Sequence, residues 1–434
     1  MPAPRTLLPP RVLPLLYFAL AHVALLVALA AVARNPHGVA GFFYHPRMLG
    51  IVHLVTLGWI TASILGALYV VAPIALRLSL PARWPEYLAF VLLAVGVVGM
   101  VAHFWIEEYA GMAWSAGTAG SGILVAGIRV LRRLPSSRID LAVRAHIVLA
   151  FVNIAGAATM GVLLAFHKVH AFLPGYTLDN VFAHAHLAAI GWATMMVVGI
   201  GYRLLPMVLP AEMPRGRRIW MTACLLETGV AGLFVALLLR GRAAIALFAV
   251  IVVAGLATFL SVVATMLVNP RPRPQAIRTP DPAILHAAAA LSWLAIACAL
   301  GLWLAIAPLS SSTPAIATAY GVAGLLGFLA QMIVAMKGRL LPMYAWYWAS
   351  ANAHHAGPVP SPHEMPWRPA QLVVVALWWG GVPALAFGLS AGSIGWIRGG
   401  AWTLLIATAL DTVQSSYIVR HAFIQPRPNA RAER

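Results

Sequence analysis

The chain has 434 residues, of which 62% are hydrophobic and 9% charged, with a mean hydropathy of +0.86. Soluble globular chains carry about 25% charged residues, so this one cannot cover a water-facing surface, and disordered or collagen-like readings fail on the same composition. Two cysteines, Cys224 and Cys298, leave no room for a disulfide framework or a cysteine metal cluster, and the net charge of +18 lies in short patches between apolar runs, as in membrane loops rather than a nucleic-acid-binding surface.

The N-terminal MPAPRTLLPPR has the flavour of a signal-peptide n-region. The apolar run behind it is too long for an h-region and lacks a small-residue cleavage site, so it reads as a first retained span. A bilayer core of about 30 Å needs about 20 helical residues. Twelve segments meet that need, near 12–34, 47–73, 84–106, 111–131, 141–166, 181–205, 219–239, 243–267, 282–307, 315–337, 369–390 and 398–420. Odd-numbered connections then lie on one side, and even-numbered connections with both termini on the other. Of the 29 Lys and Arg, 23 fall on the even side and 6 on the odd, with the clusters RVLRRLPSSR (129–138), PRGRR (214–218) and NPRPRP (269–274) all even. The positive-inside rule predicts a multi-pass protein of the inner (cytoplasmic) membrane with both termini in the cytoplasm.

Spans 2 and 6 repeat each other. His53, Gly58, Trp59, Thr61, Tyr69 and Pro73 coincide with His186, Gly191, Trp192, Thr194, Tyr202 and Pro206 at a constant offset of 133. Span 10 continues more weakly with Gly327, Phe328 and Pro342, and its RLLPM from Arg339 matches the RLLPM from Arg203 at an offset of 136. Six coincidences at one offset, with rare Trp and His among them, are not expected of apolar helices that share a small alphabet. The fold class is therefore all-α integral membrane: one transmembrane domain over 1–434, with about twelve helices in three pseudo-symmetric four-helix repeats near 11–132, 139–267 and 281–421. Sites form where such repeats meet.

The depth of the histidines carries the functional reading. His53 in span 2, His186 at the matched place in span 6, His184 just above it and His103 near the end of span 3 all fall in the outer third of the membrane. Ionisable groups inside a membrane are costly and usually face a bundle interior with a function. Neutral imidazole is the commonest metal ligand and an axial haem ligand, so two histidines at matched depth can grip one iron from opposite faces. His184 and His186 point about 200° apart around a helix, which sends them to different neighbours and allows a second site. His22, His146 and His286 are single intramembrane histidines that also suit bonds gluing helices together. Glu227 in span 7 and Asp411 in span 12, the only carboxylates deep in spans, either begin a proton path or sit protonated against a neighbouring helix. Glu107 and Glu108 beside His103 read as a solvated cap. Aromatic residues such as Trp105, Trp114, Tyr176, Tyr344 and Trp348 mark interfacial belts. The long loop 344–368 carries His354, His355 and His363.

On His53 within HLVTLGW, the twelve spans and the three arcs, the chain resembles the catalytic-subunit superfamily of haem-copper oxidases and nitric oxide reductases. The same stretch also resembles small nitric-oxide-response (NnrS-like) membrane haem proteins. The resemblance implies an axial haem role for His53. Span 10 here has no histidine, span 7 lacks the paired histidines of the copper site, and no crosslink motif occurs. The expected cofactor is haem b (iron), ligated by His53 and by His186 or His184, with no Cys-x-x-Cys-His for covalent attachment. Copper at His103 or His184 is compatible with the same donors but has no motif of its own.

The function expected is electron transfer, or binding or reduction of a diatomic gas (NO or O2), as a candidate oxidoreductase served by cytochrome c or quinol. The lipid bilayer is the surrounding partner, nucleic acid is not one, and a homo-oligomer is compatible with the sequence. The alternative is a proton-coupled transporter of a metal ion or small solute, which histidines and internal repeats also fit and which predicts a colourless protein. A third reading is an assembly or haem-handling partner of a respiratory complex.

Overall fold

The computed structural model describes residues 8–272, 278–352 and 359–423, so His354 and His355 lie outside the described residues. In lipid every backbone amide must be satisfied within its own segment, which leaves the helix as the economical solution for apolar runs of this length. The described residues accordingly form helices with no β-strand, in rods joined by short connections. These are α1 (Leu13–Arg34), α2 (Pro46–Ala75), α3 (Trp84–Ile106), α4 (Tyr109–Leu131), α5 (Leu141–His170) and α6 (Thr177–Val208). They continue with α7 (Arg217–Leu239), α8 (Arg242–Val268), α9 (Pro282–Ile306), α10 (Thr313–Ala351), α11 (Arg368–Ala391) and α12 (Ile394–Val419).

Ten of these rods are long and apolar enough to cross a membrane. The other two are α4, thinned by Gly, Ser and Thr, and α12, which carries Arg398 and Asp411. The segments that flank the first and last rods meet at one end of the bundle, where the Arg11 guanidinium donates to the Ala422 carbonyl at 2.9 Å. The expected end of the tenth span, near 337, is not where α10 stops: the helix runs on through Pro342. Tyr344 and Ala345 beyond that proline are fully buried, and the Tyr344 hydroxyl donates to the Arg11 carbonyl, so packing carries the helix past a residue that would otherwise end it.

Three rods form the centre. Of their most apolar stretches, 83% in α2, 67% in α10 and 56% in α6 is buried, against 17–50% in the other seven membrane-length rods. Each central rod contains an eight-residue π-helical stretch, Leu54–Thr61, Leu187–Thr194 and Ala323–Ala330. Long π stretches are rare and concentrate at functional sites. Within each lies a matched glycine that lets a neighbouring rod come close. A Cβ on Gly58 would meet the Ala24 methyl of α1 at 2.3 Å, one on Gly191 the Asn153 Cβ of α5 at 2.7 Å, and one on Gly327 the Trp293 ring of α9 at 2.5 Å.

The central rods are also tied by polar contact. The Trp192 indole N–H of α6 donates to the Thr61 hydroxyl of α2 at 3.1 Å, both buried. Phe328 stands at the offset-matched place of Trp192 and has no N–H to give, and the Thr194 hydroxyl turns instead to the Ala189 carbonyl at 2.8 Å. The buried Trp59 indole N–H has no partner, and the position matching its expected acceptor is Ala330.

Thermal unfolding of detergent-solubilised protein reads both kinds of contact. Gly58→Val overpacks the contact with Ala24 and lowers stability by about 1–3 kcal/mol, whereas Gly117→Ala, where a Cβ meets nothing within 4 Å, does not lower it. Thr61→Val orphans the Trp192 N–H and lowers stability by about 1–3 kcal/mol. Equal melting of Gly58→Val and wild type would remove the close-approach account.

Candidate cofactor site

His53 is the last residue before the π stretch of α2, and His184 and His186 occupy the last α-helical turn before the corresponding stretch of α6. The His53 Nδ1–H donates to the Leu49 carbonyl one turn back at 2.7 Å. The His184 Nδ1–H reaches across to the Ala157 carbonyl of α5 at 2.8 Å. Gly161 of α5 leaves room for that ring, since a Cβ there would stand 3.1 Å from His184 Cε1. A carbonyl only accepts, so each Nδ1 carries the proton and each Nε2 keeps a lone pair. This is the tautomer that metal-binding histidines are held in by their outer partners. Neither Nε2 takes part in a hydrogen bond among the described residues.

The two rings face a common cavity of about 130 Å³, with centres 6.5 Å apart and planes 22° from parallel. A metal bonded to both Nε2 atoms at about 2.0–2.1 Å sets the ring centres roughly 6 Å apart, counting about 1 Å from ring centre to nitrogen. The cavity wall between α4, α5 and α6 mixes small residues, among them Ala116, Gly120, Ala158 and Ala188, with larger ones such as Met112, Ile154 and Trp192. Phe104 stacks beside His53 at 5.1 Å. Lys168 is the one charged residue lining the cavity, and its ammonium sits over the Tyr44 ring at 5.0 Å and the Tyr109 ring at 4.8 Å.

His186 goes elsewhere. Its Nδ1–H donates to the Phe182 carbonyl at 2.7 Å, and its Nε2 faces the Tyr320 hydroxyl of α10 at 3.4 Å. The ring centres are 6.0 Å apart and the planes 23° from parallel. His53 to His186 is the offset of 133, and His184 to Tyr320 that of 136. The His186–Tyr320 pair between α6 and α10 thus repeats, in spacing and tilt, the His53–His184 pair between α2 and α6.

The other expected site residues lie apart from this cavity. His103 donates from Nδ1 to the Gly99 carbonyl at 2.6 Å, and its Nε2 stands 3.6 Å from the Glu108 carboxylate. Glu108 itself caps α4 by accepting from Ala110 and Gly111, so this group is the solvated cap expected of Glu107 and Glu108. Glu227 accepts from the Asn153 amide at 2.7 Å. Asp411 is paired with Lys337 of α10 and stands 3.5 Å from His22 Nε2, sharing no partner with Glu227. No three His, Cys, Asp or Glu side chains converge as a metal cage among the described residues, the four outer-third histidines included. The pair His53 and His184 therefore suits a group that brings most of its own metal ligands.

Sequence reasoning passed over Lys168 and Lys337. The first was hidden because a lysine near a span end resembles any interfacial anchor. The second was legible as an ammonium inside QMIVAMKGRLLPM, and a lysine in so apolar a run is a functional signal. Compared with known proteins, the chain matches no protein-family model and no curated protein.

Proposed function

We propose that this chain is a haem b-binding membrane protein of twelve spans in three pseudo-symmetric units, resembling the haem-copper oxidase catalytic subunit and acting in electron transfer. The observation that carries the reading is the pair of lone-pair-bearing Nε2 atoms of His53 and His184 on one cavity. Haem b, when bound, supplies an iron that accepts and donates single electrons, with four of its ligands provided by the macrocycle. His53 and His184 hold it from two faces, and the Leu49 and Ala157 carbonyls fix their tautomers. The small residues beside the two rings are where a flat group would lie, and the Lys168 ammonium at the cavity lining suits a propionate carboxylate. With both histidines as ligands the iron would have no free position, which would favour electron relay from cytochrome c or quinol over binding of NO or O2. The excess of basic residues on the side of both termini supports an orientation with those termini in the cytoplasm.

The buried ion pair Lys337–Asp411 favours a second reading, a proton-coupled carrier of a metal ion or small solute. The two readings part on colour.

Protein purified from cells supplied with haem gives a Soret band and sharp reduced b-type bands, with one iron per cavity. His53→Ala and His184→Ala each abolish the six-coordinate spectrum, while His186→Ala preserves it. CO leaves the wild-type reduced spectrum unchanged and shifts that of any His184→Ala protein that retains haem. A colourless, iron-free wild type would turn the assignment to the carrier. Loss of the spectrum in His186→Ala with retention in His184→Ala would reassign the ligand.

A further inference from the structure

We propose that His22, Lys337 and Asp411 form a proton-exchange site, an activity that does not depend on a cofactor at His53 and His184. The three groups come from α1, α10 and α12 and meet inside the bundle. The His22 Nδ1–H donates to the Phe18 carbonyl at 2.7 Å, so its Nε2 carries a lone pair, and that nitrogen accepts from the Lys337 ammonium at 2.6 Å. The same ammonium donates to the Asp411 carboxylate, whose oxygen lies 3.5 Å from His22 Nε2. The Trp59 ring closes one side, 5.5 Å from the Lys337 nitrogen and with its centre 5.3 Å from that of His22.

A base, an acid and a shared counter-ion are thus in mutual contact inside the bundle, where ionisable groups are expensive. Holding α10 to α12 does not require them, because apolar side chains of similar volume usually do that as well or better than a buried ion pair. Nor does a clamp need a third member with its lone pair turned to the ammonium.

In the exchange, Lys337 passes an Nζ proton to His22 Nε2, and the amine left behind is reprotonated by a proton from water that enters through the Asp411 carboxylate. The cluster goes from net zero to net +1, as ammonium and imidazolium around one carboxylate, and release reverses the steps. Asp411 is the way in, its side chain 16% exposed against 3% for Lys337 and 6% for His22. On the other side Lys337 lines a cavity of about 80 Å³ between α1, α2, α6, α8 and α10, whose wall is apolar apart from Lys337 and Ser63 of α2. The further titratable group facing the cluster is His286 of α9, whose Nδ1 lies 3.4 Å from the Gln331 amide of α10. From α2 the cluster meets Trp59, with the Ser63 hydroxyl on the wall of the same cavity, and α6 adds only apolar residues to that wall.

The test is pH-difference infrared spectroscopy of the full chain in liposomes between about pH 5 and 9. Beyond the imidazole bands that the other fourteen histidines contribute to every variant, wild type shows one further ring band that changes with pH and is lost in His22→Gln and in Asp411→Asn, where the imidazolium has no counter-ion. The double variant Lys337→Met with Asp411→Leu removes both charges together, keeps the helix content and thermal transition of a folded protein, and also lacks the band. If His22→Gln or Asp411→Asn does not fold, the double variant decides alone. A band that survives in every folded variant, or a wild type whose spectrum is the same as that of the double variant, overturns the site. The haem spectrum plays no part in the readout, so a colourless protein leaves this test intact.

Discussion

The close approach of α1, α5 and α9 to the matched glycines of α2, α6 and α10 is the contact on which the arrangement of the centre depends. Between membrane helices there is little hydrophobic driving force, because lipid tails are as apolar as the side chains they would replace. Association then rests on van der Waals fit, and small residues that let backbones approach supply it. Gly58, Gly191 and Gly327 do this inside π-helical stretches, where the widened turn shifts the register of the helix on one side relative to the other. His53 and His186 each stand immediately before such a stretch, so helix packing and the placement of the imidazoles derive from the same local feature.

The histidines show how backbone carbonyls set chemistry. His53, His184, His186, His22 and His146 each direct Nδ1 to a main-chain oxygen, which leaves Nε2 as the free base in all five. The surroundings of that nitrogen are where the five differ. At His53 and His184 it meets a cavity, at His186 a phenol, at His22 an ammonium, and at His146 it is buried without a partner. One tautomer in different surroundings gives two lone pairs on one cavity, a hydrogen-bonded pair and an acceptor for an ammonium.

The polar interior is unevenly distributed among the parts of the bundle that resemble one another. The Trp192–Thr61 bond joins α6 to α2, while Trp59 is left without a partner because Ala330 stands where a hydroxyl would be needed. The lysine–carboxylate–imidazole cluster lies on that same side, between α1, α10 and α12, and beside the unpartnered indole. The missing hydrogen bond and the ion cluster occur together there, beside the same Trp59 ring.

Much was legible in the sequence, because each signal was local. Runs of about 20 apolar residues determine helices in lipid, where nothing else satisfies the backbone. The 133-residue offset located the rods that turn out to be central, and the 200° separation of His184 and His186 already required different neighbours. Which neighbour each one has was decided only by the tertiary structure. His184 turns to α5 and His53 because Ala157 offers a carbonyl and Gly161 offers space, and His186 turns to Tyr320; His53 and Tyr320 come from rods distant in the chain. The partners of Asp411, Lys337 and His22 were hidden for the same reason, since residues separated by 315 positions share no periodicity. Composition and helical period determine the type of each segment; contacts between segments depend on shape and lone-pair direction, which exist only after the rods have packed.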